Sequence, residues 1–203
     1  MQNNEKYIII GCGGHARSIA DVILYNEPDA DIIFIDENAK ADEELLGFPV
    51  LPNYNITSEK VFVGFGDNKK RKELSQKYYS NLTSIISKNA YIGKNVKIGK
   101  GVFVAHNAHI GVLSTIDDFS IINTGALIDH ECSIAKASFI GPNATLCGKV
   151  VIGENSFIGA GTTVKDNIYI NSDIVIGAGS GVVKNLEING TYVGIPAKLT
   201  EKS

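Results

Sequence analysis

The 203-residue chain contains no tryptophan, a single methionine and only three cysteines, which show no paired spacing. An odd, unpaired set of thiols excludes a disulfide framework and suits a reducing compartment. Neither sign of charge dominates: 19 Lys and Arg stand against 22 Asp and Glu, with a pI near 5.8. That balance gives no footing for binding a nucleic-acid backbone, so no nucleic-acid partner is expected. No apolar run approaches the roughly 18 residues that span a bilayer, and no basic stretch with a cleavage site opens the chain. A cytoplasmic protein without membrane insertion is the expectation. No His/Cys/Asp/Glu group has metal-ligand spacing, so no metal is expected either.

What is present is a beat of six. From Ile86, Ile92, Ile98 and Val104 through to Ile176 and Val182, every sixth residue is aliphatic without a slip. Neither the helical period of 3.6 nor the flat-sheet period of 2 produces that pattern, whereas a hexapeptide β-helix does. The second residue of a hexad is often Gly (Gly93, Gly111, Gly141, Gly159) and the fifth is small or β-branched (Ala108, Ala126, Cys132, Ala144). Each hexad reads as a short strand with one large and one small inward residue, then a tight corner. Three hexads make one coil of about 18 residues. The uninterrupted repeat leaves no long loop on the coils.

The first eighty residues follow another pattern. Tyr7–Ile10, Ile32–Ile35 and Val61–Val63 are short apolar runs, as expected for parallel strands buried on both faces. Residues 16–25 and 69–79 read as helices. The result is a small Rossmann-like domain over residues 1–82, followed by the β-helix domain with its tail over 83–203. Gly11-Cys12-Gly13-Gly14-His15, after the first strand, is either a phosphate-binding turn at a helix N-terminus or a turn made for packing. Asp36 and Glu37 end the second strand, where ribose or base hydroxyls are commonly held. The domain is too short for a complete dinucleotide site, and a single nucleotide fits it better.

Three histidines lie in the repeat: His106, His109 and His130. Four hexads separate His106 from His130, which puts them on different faces. Between Asp129 and Glu131, His130 is either a base held in one tautomer or a solvated corner residue. Strand neighbours point to opposite sides, so Glu131 can orient His130 only if the chain turns there. Cys132 is expected to point inward.

The segment INTGALIDHEC over 122–132, the hexads around it, the closing VGIPAK, and IIIGCGGHARSIADVI, FIDE and VGFGDNKKRKEL together resemble the NeuD-like bacterial sugar acyltransferases. These belong to the left-handed β-helix superfamily. The resemblance is strongest to nucleotide-sugar N-acetyltransferases of the bacillosamine type. It implies that His130 is the general base, with Glu131 raising its basicity. It places Gly13, Gly14, His15, Asp36, Glu37 and Gly66 at the nucleotide part of the substrate. Ala160 and Ala178 fall where the family lines the coenzyme A site, with acetyl-CoA as cosubstrate. Members are usually homotrimers, with active sites between neighbouring β-helices.

One position departs from the pattern. Phe139 stands where the bacillosamine enzyme carries a second histidine near the acetyl group, which makes it a cofactor-site position here. Phenylalanine cannot donate a hydrogen bond to a thioester carbonyl. Asn123 or the Gly148 amide is the expected substitute.

The resulting expectation is direct transfer of acetyl to the amine of a nucleotide-linked 4-amino-4,6-dideoxy sugar in bacterial glycan precursor synthesis. The alternative is O-acetylation of sialic acid or another surface sugar. A third reading, from another class, is a non-catalytic trimeric scaffold.

Overall fold

The computed structural model describes residues 5–200. In the amino-terminal region, β1 (Lys6–Ile10), β2 (Asp31–Ile35), β3 (Glu44–Leu45), β4 (Phe48–Leu51) and β5 (Lys60–Val63) form one sheet in the order β3-β4-β2-β1-β5. All neighbours are parallel except β3 and β4. Helix α1 (Gly14–Asn26) joins β1 to β2, and α2 (Asn68–Lys77) follows β5. The apolar runs become β1, β2 and β5 because both faces of the sheet are covered, so alternation is lost.

The β3–β4 hairpin is absent from the sequence reading. Its strands are two and four residues long, one contains Pro49, and the turn uses Leu46 and Gly47 at positive φ. The helix expected over 69–79 spans Asn68–Lys77 instead, because Asp67 caps it by accepting from the Lys70 N–H at 2.7 Å.

From Ile85 the chain forms two-residue strands, β6 (Ile85–Ile86) through β22 (Gly181–Val182), before β23 (Thr191–Val193) and β24 (Lys198–Leu199) close the end. Each strand pairs in parallel with the one three along, as in Ile110↔Ile128 and Ile128↔Leu146. The product is a parallel β-solenoid with three faces. The first face carries Ile85, Phe103, Ile121, Phe139, Phe157 and Val175 outward, the second Tyr91 to Gly181, and the third Lys97 to Tyr169. From Val104 to Val182 every leading aliphatic is at most 1 % exposed. Each contributes on the order of 1.5–3 kcal/mol of burial. Ile86, Ile92 and Ile98 are only partly buried, since no coil precedes them.

Corners are made by the fourth residue of each hexad. Every one from Asn95 to Gly179 has φ between 54° and 69°. Asn, Asp and Gly tolerate that region; Leu113, Phe119, Glu131, Ala137 and Lys149 adopt it at a cost. Gly141 shows why the second position favours glycine: a Cβ there would stand 2.7 Å from the Ile158 carbonyl of the next coil.

The α/β region sits on the first face. Ile19 and Ile23 of α1 join Ile85, Phe103 and Ile121 in one core. His106 belongs to this junction: its Nδ1 is 2.7 Å from Ser87 Oγ, its Nε2 is 3.4 Å from Asp21, and Tyr25 meets its ring edge-on. On the other side stands Arg71, which is 1 % exposed. Its guanidinium donates to the carbonyls of Phe119 (2.7 Å), Ala137 (2.9 Å), Gly66 (3.1 Å) and Phe65 (3.2 Å), and to Asn68 Oδ1 (2.8 Å). Every one of these partners is neutral, and burial pushes the Arg71 pKa down to about 9.

Arg71→Met leaves those carbonyls unpaired and is expected to cost about 2–4 kcal/mol. Urea unfolding followed by two probes should show the α/β region loosening before the solenoid.

Candidate active site

Two sets of candidate residues occupy different sides of the molecule. The first lies at the carboxyl ends of β1, β2 and β5, where parallel sheets commonly bind ligands. Gly13 is the N-cap of α1, Gly14 opens the helix, and both are exposed. A Cβ on Gly13, Gly14 or Gly66 would meet nothing within 4 Å, so a ligand can approach the backbone closely. No acidic residue occupies the first turn of α1, whose free N–H groups favour an anion.

Asp36 lies across the turn. One oxygen accepts from Cys12 Sγ at 3.2 Å and the other from the Asn38 N–H at 3.0 Å. The Asn38 backbone bond, then the Cys12 thiol, hold its carboxyl below the usual range. Glu37 is exposed beside it. Gly66 follows β5 and is tied by its carbonyl to Arg71.

His15 turns from α1 toward the solenoid. Its ring packs edge-on to Phe103 at 5.3 Å, with Phe139 at 6.4 Å. Its Nε2 is buried without a hydrogen-bond partner. Burial, with a smaller push from Arg71, lowers its pKa to about 4. Phe139 therefore lies on the first face beside His15, stacked on Phe157 at 4.6 Å.

The second set is the corner between the second and third faces. Glu131 adopts φ 59°, so the chain does turn there, and His130 and Glu131 point the same way. His130 Nδ1 is 3.0 Å from Glu131 Oε1, and its backbone N–H donates to Asp129 Oδ1 at 2.7 Å. With Nδ1–H donated to the carboxylate, Nε2 is left as the acceptor. Lys149 Nζ stands 3.9 Å from the other Glu131 oxygen. Gly148, one coil on, lies directly against the ring: a Cβ there would come within 2.5 Å of Nε2.

Cys132 is buried, and burial pushes its thiol up to about 11. That makes it a poor nucleophile. Cys147 is partly exposed on the neighbouring coil.

The next corner, between the first and second faces, carries Gly159-Ala160-Gly161 stacked on Gly177-Ala178-Gly179. Ala160 and Ala178 are exposed, and Gly161 and Gly179 have open space at Cβ. The strip offers backbone rather than side chains to a long, thin ligand. Asn123 sits on this same corner, two coils before Ala160, with Oδ1 accepting from the Thr124 N–H.

In a three-sided solenoid the His130 corner is opposite the first face. Within one chain His130 is thus remote from Gly13, Gly14, His15 and Phe139. Arg71 is the structural residue that sequence reading missed. Its only signal was a lone arginine among lysines in 69–72, with nothing to announce its burial.

Residues 6–78 match the model of the PglD N-terminal domain, and residues 75–178 match the GMPPB C-terminal domain. A histidine-to-asparagine variant of perosamine N-acetyltransferase from Caulobacter crescentus, in complex with CoA and GDP-perosamine, is similar over 97% of each chain, with TM-score 0.88 and 32% identity. The acetyltransferase domain of PglB from Neisseria gonorrhoeae, in complex with acetyl coenzyme A, is similar over 98% of this chain and 100% of that one, with TM-score 0.88 and 28% identity. WeeI from Acinetobacter baumannii shares the fold at 22% identity and TM-score 0.86.

The His15 environment predicts an acid sensitivity. Its folded pKa lies below the unfolded value of 6.5, so the unfolded chain binds more protons between the two. Stability present above pH 6.5 is lost as pH falls toward 4, by up to about 3 kcal/mol. Urea unfolding at pH 7 and pH 4.5 should show a smaller acid loss in His15→Phe than in the wild type.

Proposed function

The chain belongs to the sugar acetyltransferases of the hexapeptide β-helix type, and from that premise we propose that it moves acetyl from acetyl-CoA to the amine of a nucleotide-linked 4-amino-4,6-dideoxy sugar. The carrying observation is the full-length likeness, at 32% identity, to an N-acetyltransferase holding CoA and GDP-perosamine. Both halves of the chemistry have a counterpart here: an anion-compatible turn for the nucleotide and a carboxylate-oriented imidazole. The α/β region is Rossmann-like in this reading, supported by its parallel β1–α1–β2 unit. The solenoid is left-handed, supported by its hexads and positive-φ corners. The product feeds bacterial glycan assembly.

The amine attacks the thioester carbonyl as His130 Nε2 takes its proton. The C–N bond forms, the C–S bond breaks, and the proton passes from the imidazole to the departing thiolate. Amide and free CoA are the products. Glu131 holds Nδ1–H throughout, which fixes the tautomer and stabilises the transient imidazolium. Developing negative charge on the carbonyl oxygen is met by a backbone N–H, with Gly148 suitably placed against the ring.

The site is completed between chains of a homotrimer. A neighbour that brings its His130 corner against this chain's Gly-Ala-Gly corner joins all three parts: nucleotide turn, CoA strip and base. The opposite placement of His130 and the nucleotide turn within one chain supports this arrangement.

Release of free thiol from acetyl-CoA, measured against UDP-, dTDP- and GDP-linked 4-amino sugars and free sialic acid, tests the reading. One nucleotide amino sugar should be consumed; consumption of sialic acid alone contradicts it. His130→Ala should lower turnover by about 10²–10⁴ without changing assembly. Gly148→Ala should also impair turnover by displacing the imidazole.

A further inference from the structure

The outward row on the first face changes character partway along. Ile85, Phe103 and Ile121 are buried beneath the α/β region. Phe139 and Phe157 are only half-covered, and Val175 is 40% exposed. The two phenyl rings stack at 4.6 Å and 11°, an apolar platform at the edge of the docked domain. His15 lies 6.4 Å from the Phe139 ring, one residue beyond the exposed Gly13–Gly14 turn. A cavity of about 440 Å³ adjoins the platform, lined by Gly66, Lys69, Asn155, Phe157, Asp173 and Val175 among others.

We infer that Phe139 and Phe157 are the floor on which the acceptor sugar rests, and that they select a methyl at carbon 6 over a hydroxymethyl. This rests on the acetylation of a nucleotide-linked amino sugar argued above. An anion-compatible turn beside half-covered aromatic rings suits a ligand with a charged diphosphate and an apolar edge. A nucleotide-linked 6-deoxy sugar supplies both. A 6-hydroxyl set against two phenyl rings finds neither donor nor acceptor and is left unpaired. The cavity rim serves the polar side of the ring, where exposed Lys69 can donate to sugar hydroxyls and Asp173 can accept from them. Phe139 then replaces a hydrogen-bonding position with a shape-selecting one. The nucleotide turn and its platform belong to the same chain, while the base comes from the neighbour.

The test compares kcat/KM for a 4-amino-4,6-dideoxy sugar and its 6-hydroxy counterpart on the same nucleotide. The wild type should favour the deoxy sugar by roughly 10–100-fold, the range for a small group in an apolar pocket. Phe139→Ser and Phe157→Ala should bring the ratio toward one, Phe139→Leu should keep most of it, and the KM for acetyl-CoA should not move. A wild-type ratio within about twofold of one overturns the platform, as does a ratio untouched by both truncations. If a truncated variant fails to fold, the wild-type ratio and Phe139→Leu still decide. Acetylation of neither sugar overturns the proposed reaction and the platform with it. Acetylation of both without preference overturns the platform alone.

Discussion

The positive-φ residue at the fourth position of each hexad is the constraint from which the rest follows. It turns the chain sharply between two-residue strands with no loop, so corners stack on corners and each face stays flat. Where Asn, Asp or Gly fills the position the turn costs little; other residues there need compensation from their surroundings. Phe119 and Ala137 present their carbonyls to Arg71, which fastens the α/β region. Glu131 faces His130 because of the same turn. Docking and the proposed catalytic pair both use departures from the default corner residue.

Strict three-sided geometry also divides the functional groups. The α/β region covers the first face, the side-chain-free strip lies on the next corner, and His130 stands on the corner opposite. A longer insertion could have carried a loop around the prism to join them. None interrupts the coils over 86–182, so the division is permanent within one chain. Assembly then becomes part of the proposed chemistry, in which acceptor amine and base meet at the interface.

Much of this was legible in the sequence because periodicity reports burial directly. The solenoid followed from Ile86 to Val182, and β1, β2, β5 and α1 from apolar runs around a glycine turn. Cys132 pointed inward as its fifth position implied. The β3–β4 hairpin was not legible: two short strands and Pro49 give no period to detect. Arg71 was hidden because its partners are backbone carbonyls 48 and 66 positions away, together with its own helix and loop. Phe139 was assigned to the acetyl end of the coenzyme A site by resemblance alone; the structure adds that it stands beside His15 in its own chain. Periodicity gives the face of a residue but not what packs against it.

The central claim is that the nucleotide turn of one chain works with His130 of another. Co-assembly of His130→Ala chains with Gly14→Asp chains tests it most directly, since the aspartate sets a like charge against the diphosphate at the helix N-terminus. Each homomer should be nearly inactive, and mixed assemblies purified through both tags should regain acetyl transfer. Mixed assemblies as inactive as their parents would contradict the account.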